Sequence, residues 1–157
     1  MNTCDLCDHH DARVRVLDLP LRDFGGRIGF AGIVSTIKAY EDNSLVREAV
    51  AEAGAGRVLV IDGGGSSRRA MLGDQLAAQA AANGWAGVIV FGAIRDSAAI
   101  GAMALGVKAL GTCPRKTDKH GQGLRDVALA FGAVSIRPGD WVCADEDGVV
   151  FADEALA

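Results

Sequence analysis

The sequence predicts an α/β domain that carries an additional β layer, and three stretches predict it. Residues 57–62 (RVLVID) form a continuous apolar run of the kind a parallel sheet buries on both faces. From there to Gly92 the chain reads strand, helix, strand, for which parallel pairing through a right-handed crossover is the expectation. From Arg125 onward it changes to short strands separated by turns, which a plain doubly wound sheet would not require. A length of 157 residues suits one domain with a real core and is short for two, so residues 1–157 are read as a single domain.

The elements follow in order. Residues 1–11 suit a short helix or arm, with Asp5 and Asp8 favouring its first turn. Residues 13–17 alternate enough for a strand, and residues 24–40 (FGGRIGFAGIVSTIKAY) read as a loop leading into a strand. Asn43 is placed to cap a helix with apolar positions Leu45, Val46, Ala49, Val50 and Ala53, closed by Gly54. The strand ending at Asp62 runs into Gly63-Gly64-Gly65-Ser66. A helix over 74–83 then presents Leu76, Ala77, Ala80 and Ala81 on one face, with Gly84 ending it, and the strand 87–92 (GVIVFG) follows. Residues 97–105 suit a short helix and 107–111 a strand, while 112–124 (TCPRKTDKHGQGL) is polar and basic and reads as a solvated surface loop. The rest is VALAF, AVSI, a Pro138-Gly139-Asp140 turn, WVCAD and, after Asp147-Gly148, GVVFA, a small β meander.

Composition excludes several classes. Half of the residues are apolar and 23% charged, an ordinary globular balance. The net charge of −4 speaks against general nucleic-acid binding, which needs a basic face. No apolar run approaches the roughly 20 residues of a membrane span. The acidic, polar start MNTCDLCDHHDAR is no signal peptide, so a cytoplasmic location is expected. Cys4-x-x-Cys7 with His9 and His10 raises a zinc site, but a second ligand pair at matching spacing is missing, and incidental thiols on a helix are the favoured reading. Cys113 and Cys143 sit in apolar surroundings and read as core thiols.

The chemistry concentrates between Gly73 and Asp96. Asp74 stands at the mouth of a helix, and Arg95-Asp96 follow directly on a strand, with twenty residues between Asp74 and Arg95. One helix and one strand fit that gap and return both ends to the carboxyl edge of a sheet, where ligands of open α/β sheets bind. Singly, Asp74 is a helix cap and Arg95-Asp96 a surface pair of little energetic worth. Together they suggest an anion-plus-metal site. Asp96 supplies a hard oxygen for Mg²⁺ or Mn²⁺, Arg95 a fork for a carboxylate or enolate oxygen, and the amides of Gly73, Asp74, Gln75 and Leu76 an anion seat at a helix N-terminus. A rival motif is the strand-then-glycine run VLVIDGGG, which is like the first loop of nucleotide- and S-adenosylmethionine-binding folds. Asp74 comes too early to be the ribose-binding acid of such a fold, and a tight turn is the favoured reading.

The chain resembles the regulator of ribonuclease activity A (RraA-like) family, which includes class II 4-hydroxy-4-methyl-2-oxoglutarate aldolases. The resemblance spans nearly the whole chain: Asp5-Leu6-Cys7-Asp8, Phe24-Gly25-Gly26-Arg27, Glu41-Asp42-Asn43, residues 58–66, Gly73-Asp74, Gly84-Trp85, residues 92–96 and Pro138-Gly139-Asp140. It implies a swivelling β/β/α fold, phosphohistidine-domain-like, and a homotrimer with sites between subunits. The aldolase members carry Asp, twenty residues, then Arg-Asp, and Asp74, Arg95 and Asp96 match that pattern. By resemblance, the amides of residues 73–76 hold the carboxylate of a small 2-keto acid and Arg95 its keto or enolate oxygen. Asp96 then ligates a divalent metal cation, and Asp74 handles the proton of the 4-hydroxyl. The implied activity is metal-dependent aldol cleavage to pyruvate, with oxaloacetate decarboxylation alongside. Two other readings stand beside it: a non-catalytic binder that inhibits ribonuclease E, for which the acids would be dispensable, and a methyltransferase, suggested only by the glycines after Asp62. Residues 115–119 are a candidate for the distal carboxylate, although a solvated loop is the favoured reading there.

Overall fold

The structure, a computed structural model, describes residues 2–157. Its centre is the parallel set β4 (Val58–Asp62), β6 (Gly87–Ile94) and β7 (Gly106–Thr112), joined to the second half of β3 (Phe30–Lys38). β3 belongs to two environments. Its first residues pair antiparallel with β11 (Trp141–Asp145), and from Val34 to Lys38 it pairs parallel with β4. Beyond β11 lie β12 (Gly148–Ala152) and β1 (Val14–Val16), both antiparallel, and β2 (Arg22–Asp23) closes the far edge on β7. With β5 (Ala70–Leu72) beside β6 and β8 (Leu124–Arg125) beside β3, the sheet has ten strands; β9 (Leu129–Phe131) and β10 (Val134–Ile136) form a separate hairpin.

The period-2 alternation of buried strands explains the layering. In β4, Leu59 and Ile61 face one core while Val58 and Val60 face another; in β6, Val88 and Val90 oppose Ile89 in the same way. The first core is covered by α2 (Ser44–Val50), α3 (Asp74–Ala82) and α4 (Ser97–Ile100), through Val46, Ala49, Ala77, Ala80 and Ile100. The second is covered by the β9–β10 hairpin and β11–β12, through Leu129, Phe131, Ile136, Val142 and Phe151. Both faces of β4 are therefore sealed, and all five of its residues are buried. A third, smaller cluster seats α1 (Thr3–His10) on β11 and β12 through Leu6, Trp141 and Val150. Helices on one face and a β layer on the other make this a mixed α/β fold, as the sequence predicts.

Several boundaries differ, each for a tertiary reason. α2 ends at Val50 rather than at Gly54, whose missing side chain instead admits Trp85; a Cβ there would lie 2.5 Å from the Trp85 amide nitrogen. Asn43 occupies the N-cap position without capping, because its Oδ1 accepts instead from the Thr117 hydroxyl at 2.7 Å and its Nδ2 donates to the Met71 carbonyl at 3.2 Å. The helix expected over 97–105 stops at Ile100. Its continuation turns to receive the Gly25-Gly26 segment, where the Gly26 amide donates to the Met103 carbonyl at 3.0 Å and a Cβ at Gly26 would lie 2.2 Å from that oxygen. Cys143 is buried, and burial with nearby Asp145 pushes its thiol pKa up, whereas Cys113 is only half-buried and so is no core thiol. No helix among the described residues is long and apolar enough to cross a membrane.

Candidate active site

The Asp62–Gly65 turn delivers the chain to β5, and β5 delivers Gly73 to the carboxyl edge of β6. Gly73 is the extended N-cap of α3, and the absence of its side chain matters: a Cβ would sit 3.0 Å from Asp96 Oδ2 and 3.2 Å from Arg95 Nε. On the other side β6 runs out into Arg95, whose amide donates to the Leu72 carbonyl at 2.9 Å. Asp96 then adopts left-handed backbone (φ 56°), an uncommon conformation for a residue with a side chain. Its Oδ2 accepts a hydrogen bond from the Asp74 amide at 3.0 Å and lies 4.0 Å from Arg95 Nε. The two ends of the twenty-residue interval thus meet as the sequence predicts.

Gly73, Asp74, Gln75, Leu76 and Arg95 line one cleft of about 470 Å³ together with Asn43, Arg47, Ala70, Gln79, Lys116 and Lys119. Asp96 is not part of that wall and adjoins it through Gly73 and the Asp74 amide. Of the first amides of α3, that of Asp74 is taken by Asp96 and that of Ala77 by the Gly73 carbonyl at 3.0 Å. Those of Gln75 and Leu76 have no partner among the described residues, as expected of a helix start open to a ligand. The charge balance is local. Arg47, Arg95, Lys116 and Lys119 line the cleft against the single lining acid Asp74, in a chain whose net charge is −4. A concave wall of this kind concentrates positive potential and selects anions.

Two of those cations correct the sequence reading. The basic loop after Thr112 is not merely solvated, because its first part is stitched beside β5. The Ala70 amide donates to the Arg115 carbonyl at 2.7 Å, and Arg69 Nη1 to the Lys116 carbonyl at 3.0 Å. Thr117 is buried, its hydroxyl donating to Asn43 Oδ1 at 2.7 Å, while Asn43 Nδ2 donates to the Met71 carbonyl at 3.2 Å. Sequence reasoning missed Arg47 altogether. It lies one turn into α2 after the Glu41-Asp42-Asn43 motif, and that proximity was the only available signal.

Asp96 Oδ1 has no hydrogen-bond partner among the described residues, and no group of three or more His, Cys, Asp or Glu gathers there or elsewhere among them. One free carboxylate oxygen beside an open cleft fits a hard cation that keeps most of its waters, as Mg²⁺ does, and does not fit tetrahedral zinc. At the N-terminal CxxC, Cys4 Sγ donates to Asp147 Oδ2 at 3.4 Å; that hydrogen bond, with the Asp147 charge, raises the thiol pKa. The glycine run after β4 also has an internal explanation. The Gly63 and Gly65 amides both donate to the Phe91 carbonyl, at 3.0 and 3.1 Å, and the Gly64 amide to Asp62 Oδ1 at 2.9 Å. Those amides are spent inside the turn, and the chain continues into a strand rather than a cofactor-facing helix.

Residues 3–151 match the RraA-like family, described as Aldolase/RraA. The chain belongs to the RraA-like family. It is 55% identical over 154 residues to a protein of Alkalilimnicola ehrlichii, covering 98% of this chain and 96% of that one. It is 53% identical over 154 residues to one of Laribacter hongkongensis, covering 98% and 97%. Both relatives are provisionally named 4-hydroxy-4-methyl-2-oxoglutarate aldolase. Among solved structures, the RNA-processing inhibitor RraA from Thermus thermophilis superposes with a TM-score of 0.96 at 43% identity, covering 100% of this chain and 95% of that one. A Geobacillus kaustophilus structure described as an S-adenosylmethionine:2-dimethylmenaquinone methyltransferase superposes with a TM-score of 0.98 at 52% identity, covering 99% and 97%. The RraA-like fold is therefore the frame that carries the cleft of Asp74 and Arg95, with Asp96 at its edge.

Proposed function

We propose that this RraA-like chain is a carbon–carbon lyase, a class II aldolase that cleaves 4-hydroxy-4-methyl-2-oxoglutarate-type 2-keto acids to pyruvate. The observation that carries the reading is the cleft itself: free α3 amides, Arg95 and Asp74 face one space, with Asp96 hydrogen-bonded at its edge. The Gln75 and Leu76 amides receive the C1 carboxylate, and Arg95 faces the C2 oxygen. Asp74 takes the proton of the 4-hydroxyl through a water. As the C3–C4 bond breaks, C4 becomes the carbonyl of one pyruvate, and the bond's electrons pass to the C2 oxygen of the other as its enolate. Arg95 offsets that charge, and a proton delivered to C3 completes the second pyruvate. Arg47, Lys116 and Lys119, on the cleft wall beyond α3, suit the distal carboxylate.

Asp96 Oδ1 would hold a divalent cation, Mg²⁺ or Mn²⁺, with waters completing its shell. When bound, the cation supplies Lewis-acid polarisation of the 2-keto oxygen. Oxaloacetate decarboxylation passes through the same enolate and needs no base at a hydroxyl, so it belongs to the proposal as a second activity. The proposal also includes a homotrimer, supported by the exposed apolar side chains Val16, Ile28, Ile33, Tyr40 and Leu124. A second reading, a regulator that binds ribonuclease E, draws on the Thermus RraA likeness. A pure binder has no use for the acid–arginine–acid set. A methyltransferase reading is not favoured, because the glycine turn after Asp62 keeps its amides for itself.

Pyruvate release from 4-hydroxy-4-methyl-2-oxoglutarate and from oxaloacetate, with Mg²⁺ and with excess chelator, tests the proposal. Activity with Mg²⁺, lost reversibly in chelator and lost in Asp96→Ala, is the expected result. Full turnover in chelator ends the metal assignment, and no turnover of either substrate returns the chain to the binder reading.

A further inference from the structure

We infer that Asp42 is a positioning residue whose carboxylate staples residues 120–122 beside the cleft, holding Lys119, just ahead of them, for the distal carboxylate of a dicarboxylic 2-keto acid; this rests on the aldolase reading above. Asp42 lies outside the Asp74–Arg95–Asp96 set and is almost fully buried, at 2% exposure, although it is a charged side chain. Such a group persists only when every oxygen is satisfied. Here Oδ1 accepts from the Ser44 hydroxyl at 2.6 Å and the Ser44 amide at 2.9 Å, while Oδ2 accepts from the His120 amide at 2.9 Å and the Gln122 amide at 3.1 Å. The Ser44 hydroxyl oxygen in turn accepts from the Gly121 amide at 3.1 Å. One carboxylate and its neighbour therefore take three successive backbone amides of the loop, 120 to 122.

The position of this staple gives it meaning. Thr117, buried against Asn43, pins the loop on one side of Lys119, and Asp42 pins it on the other. Lys119 is thus held between two fixed points while its side chain stays exposed on the cleft wall, and Lys116 sits just ahead of the first of them. An unpinned loop would have to order its backbone as well as its long cationic side chains at each binding event, and preorganisation removes the backbone part of that entropic cost. The residue must be Asp. An Asn at 42 could accept from only one of the two sets of donors and would turn its own N–H groups toward the other.

The staple thus acts on the far end of the substrate and not on the enolate end. The test compares wild type with Asp42→Asn and with the milder Ser44→Ala. It reads kcat and KM for 4-hydroxy-4-methyl-2-oxoglutarate, and inhibition by 2-oxoglutarate, which carries both carboxylates, and by oxalate, which mimics only the keto-acid end. Hydrogen exchange of the 120–122 amides is followed in parallel. Asp42→Asn is expected to speed that exchange and to raise KM and the 2-oxoglutarate inhibition constant about tenfold, the scale of a lost charged hydrogen bond. kcat and oxalate inhibition should stay within about twofold, since losing a contact equally strong in the ground and transition states moves KM alone. Ser44→Ala should shift the same quantities in the same direction by less, and it carries the test if Asp42→Asn does not fold. Exchange that does not change, or that accelerates while the 2-oxoglutarate constant stays put, overturns the staple. So does a parallel loss of oxalate binding and kcat, which would make Asp42 a general fold support. A wild type that binds both inhibitors but releases no pyruvate from the aldol substrate refutes the lyase reading instead, and leaves the staple to be judged on binding and exchange.

Discussion

Asp74 and Arg95 face the same cleft but answer to different steps of the proposed reaction. Arg95 offsets the enolate charge in both aldol cleavage and decarboxylation, so Arg95→Lys, which replaces a planar fork with a point charge, is expected to cost roughly 100-fold in both. Only aldol cleavage must take a proton from a hydroxyl. Asp74→Asn should therefore depress pyruvate release from 4-hydroxy-4-methyl-2-oxoglutarate well beyond its effect on oxaloacetate. If Asp74 were only the first residue of α3, the two rates would change little and equally. Asp42 leads to a different prediction. Burial works to raise its pKa, but hydrogen bonds from the Ser44 hydroxyl and amide and from the Gln122 and His120 amides outweigh it and lower the value to about 2. A carboxyl whose folded pKa lies below its unfolded one stabilises the fold above the unfolded value, and that stability is lost as pH falls through the folded one. Thermal melts of wild type should thus lose stability between about pH 4 and pH 2, the span from an ordinary Asp to Asp42. Asp42→Asn should start lower at pH 7 and lose less over that interval. Parallel pH curves for the two proteins would refute the assignment.

At the scale of elements, the site depends on how β5, α3 and β6 are joined. β5 is three residues long and β6, ending at Ile94, is followed by Arg95 and a left-handed Asp96, so the Asp96 carboxylate reaches the α3 N-terminus only because Gly73 leaves room. Gly73→Ala puts a methyl 3.0 Å from Asp96 Oδ2 and must displace it. Catalytic efficiency is expected to fall at least tenfold by misplacement of the site. The melting temperature should fall by only about 2–4 °C, the scale of the roughly 1 kcal/mol by which Gly exceeds Ala at an N-cap. Steady-state kinetics and a thermal melt on this one variant check both halves; equal activity would mean that the Asp96–Asp74 contact has no catalytic role.

At the scale of the molecule, the fold puts its helices on one face of the sheet and a β layer on the other, and gathers cations at the strand carboxyl ends of a net acidic chain. The exposed apolar residues do not line that cleft: Val16 is on β1, Ile33 on β3, Leu124 on β8, and Ile28 and Tyr40 are in loops. In the proposed trimer these surfaces become buried. Sedimentation at micromolar concentration should give three times the chain mass, and charged substitutions at Ile33 and Leu124 should dissociate it. A monomer at that concentration would overturn the trimer.

Much of this was legible in the chain itself. The apolar run of β4, the alanine-rich face of α3 and the strand of β6 carry their periodicities within a few residues. The spacing of Asp74 from Arg95-Asp96 follows from one helix and one strand, so local pattern alone returned both to one sheet edge. What local pattern could not supply were contacts made across long separations. Asp42 meets His120 and Gln122 from 78 and 80 residues away, and Asn43 meets Thr117 from 74. Read alone, Asn43 is a helix cap and residues 112–124 are a polar loop, since neither a buried carboxylate's partners nor a lysine's direction leaves a period in the sequence. Only the folded chain sets Lys116, Lys119 and Arg47 on the cleft that Asp74 and Arg95 share, because amides and side chains distant in sequence must be satisfied together when they are buried together.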